Sequence, residues 1–336
     1  MVKQRYAYWD NLKAFLIYCV VLGHFILPIS PKGTLINTTY YWIYSFHIPA
    51  FVFVSGYFSR SYIKKDNKEM KLTGFICLYI YFTFGIWLLD AIFGNSIQIT
   101  EIVSTSKSQW YLMAMFFWYL LIPFASKIKA PFALLFFTLI GLLAGCLPSC
   151  GNFLAMSRTI VFFPLFLAGF HYGDYFPKTI KLWMKIFAFV LLIGCACFIY
   201  IFIDSYGHIF LLFYADGAYS ILGLSNTMGL ICRFIWYVVS MSMTMAIMCL
   251  IPTKHYIFTY IGERTLAIYI VHRFFRDILL NIGFYEMLNT ELKQLLVCIL
   301  VSFIVVLLAS IEPISIFLNK FFHLTIFGEY KSKFKK

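Results

Sequence analysis

Apolar runs of helical length follow one another along almost the whole chain, and no other feature restricts its fold so tightly. They cover roughly 12–30, 39–58, 72–94, 109–126, 131–148, 158–173, 183–204, 228–251, 256–278 and 294–317. About 20 apolar residues cross the ~30 Å hydrocarbon core as a helix, and within lipid only a helix or a closed barrel satisfies its own backbone. Of the 336 residues 62% are hydrophobic and 12% charged, where a soluble domain carries about 25% charged residues. The expectation is an all-α integral membrane protein with about ten transmembrane helices. Residues 1–320 form a multi-span membrane domain and 321–336 a short basic cytoplasmic tail. The first run is too long for a cleaved signal and lacks a small-residue cleavage site, so it is expected to remain as a span.

Lysine and arginine set the orientation. Placing Lys3 and Arg5 in the cytoplasm puts Arg60, Lys64, Lys65, Lys68, Lys71, Lys127, Lys129, Lys178, Lys181, Lys185 and Lys254 on the same side, together with the tail. The opposite side holds fewer: Lys32, Lys107, Arg158, Arg273, Arg276 and Lys293. An even span number with both termini cytoplasmic follows. The net charge of +13 thus sits in short loops, where it meets anionic headgroups or a phosphate-bearing ligand, and nucleic acid is disfavoured as a partner. The nine cysteines are mostly single and inside apolar runs, as inert thiols are. Cys146 and Cys150, in an outward-facing loop, leave a disulfide open. No metal-ligand pattern emerges.

Ionisable groups inside a span are costly, and each is a functional hypothesis. Lys13 and His24 stand eleven residues apart in the first run, which places them within about 20° on one helix face and roughly 16 Å apart along it. Lys13 can snorkel to the headgroups; His24 cannot. By the span boundaries, His24, His47 and His272 all lie roughly 9–12 Å below the outer surface. Histidine moves protons near neutral pH, so three at one depth point to a polar chamber, whereas each taken singly could merely hydrogen-bond a neighbouring helix. A ligand spanning Lys13 and His24 has an anionic head near the cytoplasm and a reactive end deeper in. Coenzyme A has that form. Arg60, Lys64, Lys65 and Lys68 add phosphate-binding capacity, or serve only orientation and headgroup contact.

Four segments, in order, resemble the membrane acyltransferase-3 family, in particular its sugar O-acetyltransferase branch related to fucose 4-O-acetylase. Lys13 and His24, within Tyr8-Trp9-Asp10-Asn11-Leu12-Lys13, match its first-helix spacing of a cation, ten residues and a histidine. Phe46-His47-Ile48-Pro49-Ala50-Phe51, running into Ser55-Gly56-Tyr57, matches its second-helix signature. Trp110-Tyr111-Leu112 is similar to its Trp-Tyr-Leu segment, and Gly262 through His272 to its late glycine-to-histidine stretch. Two departures stand out. The family's Arg-x-x-Arg motif is not matched from Arg60, which is followed by Ile63 and Lys64. The secreted hydrolase-like domain of longer members is also not expected here, so transfer would finish in the membrane domain or on a separate protein.

The resemblance implies transfer of an acyl group, acetyl first among the options, from cytoplasmic acyl-CoA to a hydroxyl of an extracytoplasmic or lipid-linked carbohydrate. It also implies a bacterial cytoplasmic membrane, contact with membrane lipids and, as further partners, glycan biosynthesis proteins. Under this reading His24 is the general base or a transient acyl carrier. His47 and His272 orient it, relay its proton or hold acceptor hydroxyls, and Lys13, Arg60 and Lys64 hold CoA phosphates. Arg158, Trp110 and Tyr111 are candidates for sugar contact, against plainer roles as a helix anchor and an interfacial belt. Asp10 is expected as an N-cap, and His171 and Arg264 as interfacial. Two rivals remain: a transporter or flippase for a saccharide or lipid-linked glycan, and a binding-only partner of a glycan synthase.

Overall fold

A computed structural model describes residues 7–29, 33–63, 68–104, 108–176 and 180–322. These residues are all helical in architecture, with thirteen α-helices: α1 Ala7–Ile26, α2 Thr34–Tyr44, α3 His47–Ile63, α4 Lys68–Ile92, α5 Trp110–Ala125, α6 Ala130–Ala144, α7 Met156–Tyr172, α8 Leu182–Phe210, α9 Asn226–Leu250, α10 Thr259–Glu263, α11 Thr265–Asn281, α12 Glu291–Ala309 and α13 Glu312–Phe322. Five stretches are long and apolar enough to cross a membrane: Ala7–Ile29, Lys71–Ile92, Leu182–Tyr214, Asn226–Leu250 and Glu291–Ala309. Trp110–Ala125 and Ala130–Ala144 are apolar but shorter; 15 or 16 residues rise only about 23 Å. Large apolar side chains such as Phe187, Val190, Phe198 and Ile201 of α8 point outward, the reverse of a soluble bundle and the pattern lipid requires.

Three of the expected spans are interrupted. The second is two helices, α2 and α3, separated at Ser45 and Phe46. Pro49 lies in the first turn of α3, where its missing N–H costs nothing, while its ring would oppose the Ser45 carbonyl in a continuous helix. Pro313 in α13 does the same after α12. The ninth breaks at Arg264, between α10 and α11.

α1 is the central helix, two-thirds of its best apolar window being buried. Its first turns are locked by Asn11, 1% exposed. The Asn11 amide donates to the carbonyls of Pro252 (2.9 Å) and Lys254 (2.8 Å), and its oxygen accepts from Thr259 Oγ1 (2.6 Å). Replacing Asn11 with leucine removes three hydrogen bonds at once, the one to Thr259 buried; we expect a loss of about 2–3 kcal/mol, read as a lowered Tm in detergent. Asp10 is not the N-cap expected of it, because α1 is already helical from Ala7. Instead it forms an ion pair with Lys13 at 2.8 Å.

α3 and α7 cross with their backbones nearly touching. A Cβ on Gly56 would stand 1.9 Å from the Phe166 carbonyl oxygen, and one on Gly169 1.8 Å from that of Phe53. Small residues permit such crossings between membrane helices, where dispersion between backbones replaces the hydrophobic effect. Cys146 and Cys150 are separate thiols.

Candidate functional site

On α1, Lys13, Ile17, Val20 and His24 recur at helical spacing and together line one wall of a cavity of about 220 Å³. Ile48, Phe51, Val54, Ser55 and Phe58 of α3 face them, with Trp110, Tyr111, Leu112, Met115 and Tyr119 of α5 and Thr265, Leu266 and Tyr269 of α11. One space therefore reaches from a lysine to a histidine roughly 16 Å along the same helix. Pockets that enclose a whole drug-sized ligand run to ~300–1,000 Å³, so this one suits a slender arm. A larger groove of about 940 Å³ lies between α8 and α9, but no acid, cation or histidine lines it.

Lys13 does not snorkel outward. Its ammonium lies on Asp10 and over the Phe58 ring, 5.3 Å from the centroid. A second cation, which the sequence suggests only as an orientation signal, touches a residue of the same wall without itself lining the cavity. Lys71 Nζ donates to Tyr119 Oη at 3.0 Å and lies 4.2 Å from that ring's centroid.

At the other end the His24 and His272 rings lie 5.1 Å apart, tilted by 40°. His272 is fully buried, and its Nδ1 lies 3.0 Å from the Ile268 carbonyl oxygen. His47, also buried, makes the same contact to Ile43 at 2.8 Å, and its ring meets Tyr44 edge-on at 4.5 Å. A carbonyl oxygen only accepts, so in both rings Nδ1 carries the proton and Nε2 is left as a base. Both bonds arise within one helical turn, from the residue four positions earlier. His47 and the guanidiniums of Arg273 and Arg276 are within electrostatic reach of His24. Those arginines share one carboxylate, Arg273 Nε and Arg276 Nη1 donating to Asp277 at 2.8 and 2.9 Å.

The remaining sequence candidates divide. Trp110 and Tyr111 line the cavity rather than forming an exposed belt; Tyr111 Oη and Ser55 Oγ are 2.8 Å apart. Arg60 is not brought to the cavity wall. Its Nε and Nη2 donate to the Phe170 and His171 carbonyls and its Nη1 pairs with Asp174. It thus closes the end of α7, where last-turn carbonyls lack helical partners. Arg158 is likewise held by the segment after α8, donating to the Tyr214 carbonyl (3.0 Å) and Asp216 (2.8 Å), with its guanidinium over Trp110 at 5.2 Å. Its link to the cavity runs through that indole. Lys64 and Lys65 lie outside the described residues. Arg264 sits at the α10–α11 break and donates to the Ser310 carbonyl at 2.7 Å.

Comparison with curated proteins and with solved structures returns no match. A family model described as an acyltransferase domain matches residues 6–311, nearly the whole chain and all four segments quoted above. The chain belongs to the acyltransferase-3 family, and its general activity is that of a membrane acyltransferase.

Proposed function

We propose that the protein transfers an acyl group, acetyl in the first instance, from cytoplasmic acyl-CoA to a hydroxyl of an extracytoplasmic or lipid-linked sugar, with His24 as general base. The observation that carries this reading is the single cavity with Lys13 and His24 on one wall. The phosphates of the donor sit at Lys13 and Lys71, the pantetheine arm runs along the apolar wall, and the thioester reaches the imidazole. His24 takes the proton of the acceptor O–H as its oxygen attacks the thioester carbonyl. The carbon–sulfur bond breaks, and the departing thiolate takes that proton from the imidazolium, leaving an ester and free CoA. A positioned base contributes ~10²–10⁴-fold to such a step. Trp110 and Tyr111 offer faces for the sugar ring. About ten crossings, with both termini in the cytoplasm of a bacterial cell, complete the proposal.

Mass spectrometry of surface glycans from cells with and without the protein tests it. Loss of one acyl substituent is expected; identical glycans with intact flux of an unmodified sugar would favour the transporter. At the donor end, a charge-assisted contact to phosphate is worth about 1.5–3 kcal/mol. Asp10→Asn/Lys13→Met, which removes the ion pair without stranding the carboxylate, should raise the KM for acetyl-CoA about tenfold or more with a smaller change in kcat. Labelled acetyl-CoA and membrane vesicles give both constants.

A further inference from the structure

At the His24 end of the cavity two ring nitrogens are buried with no hydrogen-bond partner: Nδ1 of His24, which lines it, and Nε2 of the adjacent His272, which does not. They belong to adjacent rings. His272 has already spent its Nδ1 proton on Ile268, so in the neutral ring its Nε2 can only accept. His24 Nδ1, in contrast, has no carbonyl to fix its state. The two nitrogens are not bonded to each other as the rings stand, but ring atoms lie about 1.2 Å from a five-membered ring's centre, so at 5.1 Å between centroids a turn of the His24 ring that aims the nitrogens at one another brings them to about 2.8 Å, a normal hydrogen bond. One proton on His24 Nδ1 then satisfies both orphaned atoms. Such bonds are commonly long in a free enzyme and tighten when substrate fills the site. His24 is only partly buried, and with Nδ1 sealed, its open edge toward the cavity is the Nε2 edge.

We propose that His272 is a positioning residue that acts through His24. Its Nε2 receives Nδ1–H of His24, which holds His24 in the tautomer whose Nε2 lone pair faces the cavity. The chain Ile268 C=O, His272, His24, acceptor hydroxyl is therefore a fixed order of donors and acceptors. His47 does not take this part: its ring is engaged edge-on with Tyr44. This inference rests on the proposed role of His24 and adds which of its atoms acts and what selects it.

Two measurements test it on the full-length protein in lipid. The first needs no substrate. With ¹⁵N-labelled imidazoles, the signal lost in His24→Gln identifies residue 24, and we expect it to show a protonated Nδ1 and bare Nε2. In His272→Asn, whose amide still reaches Ile268 but offers His24 no ring acceptor, the Nε2–H tautomer should appear. Native His24 protonated on Nε2 would overturn the proposal.

The second is kinetic, with labelled acetyl-CoA and glycan-bearing membrane vesicles. His272→Asn should lower kcat about 10²-fold with the donor KM nearly unchanged. His272→Gln, which returns an acceptor oxygen near the lost Nε2, should recover part of it. His24→Ala/His272→Asn should be no slower than His24→Ala. Losses that multiply, or a rise only in acceptor KM, would show that His272 acts on the substrate directly. Should His24→Ala itself leave transfer intact, the base assignment fails, while the ¹⁵N spectrum still judges the pairing. Should His272→Asn fail to fold, the spectrum of the native protein decides alone.

Discussion

Replacing His24 with alanine is expected to reduce acyl transfer by about 10²–10⁴-fold while the protein is still made, inserted and folded. The first half follows from position. His24 lines the cavity that Lys13 also lines, and its ring has a neighbour able to hold its tautomer. The second half follows from how little the ring holds in place. The one atom its loss concerns is His272 Nε2, which has no partner in the free protein as it stands, and the space the ring leaves joins an existing cavity. A substitution that removes a base but not a strut should separate activity from stability cleanly. Acyl incorporation from labelled acetyl-CoA and the melting temperature in detergent measure the two. A transporter would keep partial saccharide flux in the same variant, so that retained flux with no acyl incorporation in the native protein would decide for the rival.

The largest structural effect should come from Gly56→Val. A Cβ there stands 1.9 Å from the Phe166 oxygen and 2.7 Å from its carbonyl carbon, and both belong to backbone that cannot rotate aside. α3 and α7 would have to part along their whole crossing, with loss of the reciprocal contact of Gly169 on Phe53. Overpacking of a yielding core costs ~1–3 kcal/mol; against rigid backbone the cost should exceed about 4 kcal/mol. We expect almost no monodisperse protein on size exclusion. Gly194→Ala in α8 is the control. Its Cβ would meet nothing within 4 Å, and exchange of a helical glycine for alanine should be neutral or stabilising by up to about 1 kcal/mol.

Helical periodicity alone makes one wall of the cavity legible in the sequence. The angle between Lys13 and His24 depends only on 3.6 residues per turn, and α1 is unbroken between them. Counting residues gives His24, His47 and His272 a shared expected depth, but not which of them meet; that His24 and His272 are neighbours comes from how α1 and α11 pack. Side-chain commitments across helices are likewise not legible in the sequence. Arg60 stands in the last turn of α3, yet which way its guanidinium turns is decided by the open carbonyls of α7, far away in sequence. Arg158 is settled by Asp216 and Tyr214 in the same manner. In the sequence Lys71 reads as an orientation signal, a lysine before an apolar run; its place near the cavity comes from Tyr119, a partner on another helix. Asn11 carried a faint signal, an amide inside an apolar run, but its three partners lie more than 240 positions away.

The ion pair at the foot of α1 changes what entry into the cavity means. Lys13 already has a resident counterion in Asp10, so an incoming phosphate must displace or share it, and the free energy gained is the difference between two pairings. A doubly charged phosphate comes out ahead of a lone carboxylate in that exchange. A singly charged fatty acid gains nothing by it. On the proposed donor site, the resident aspartate thus selects for charge among the ligands that could settle beside this helix.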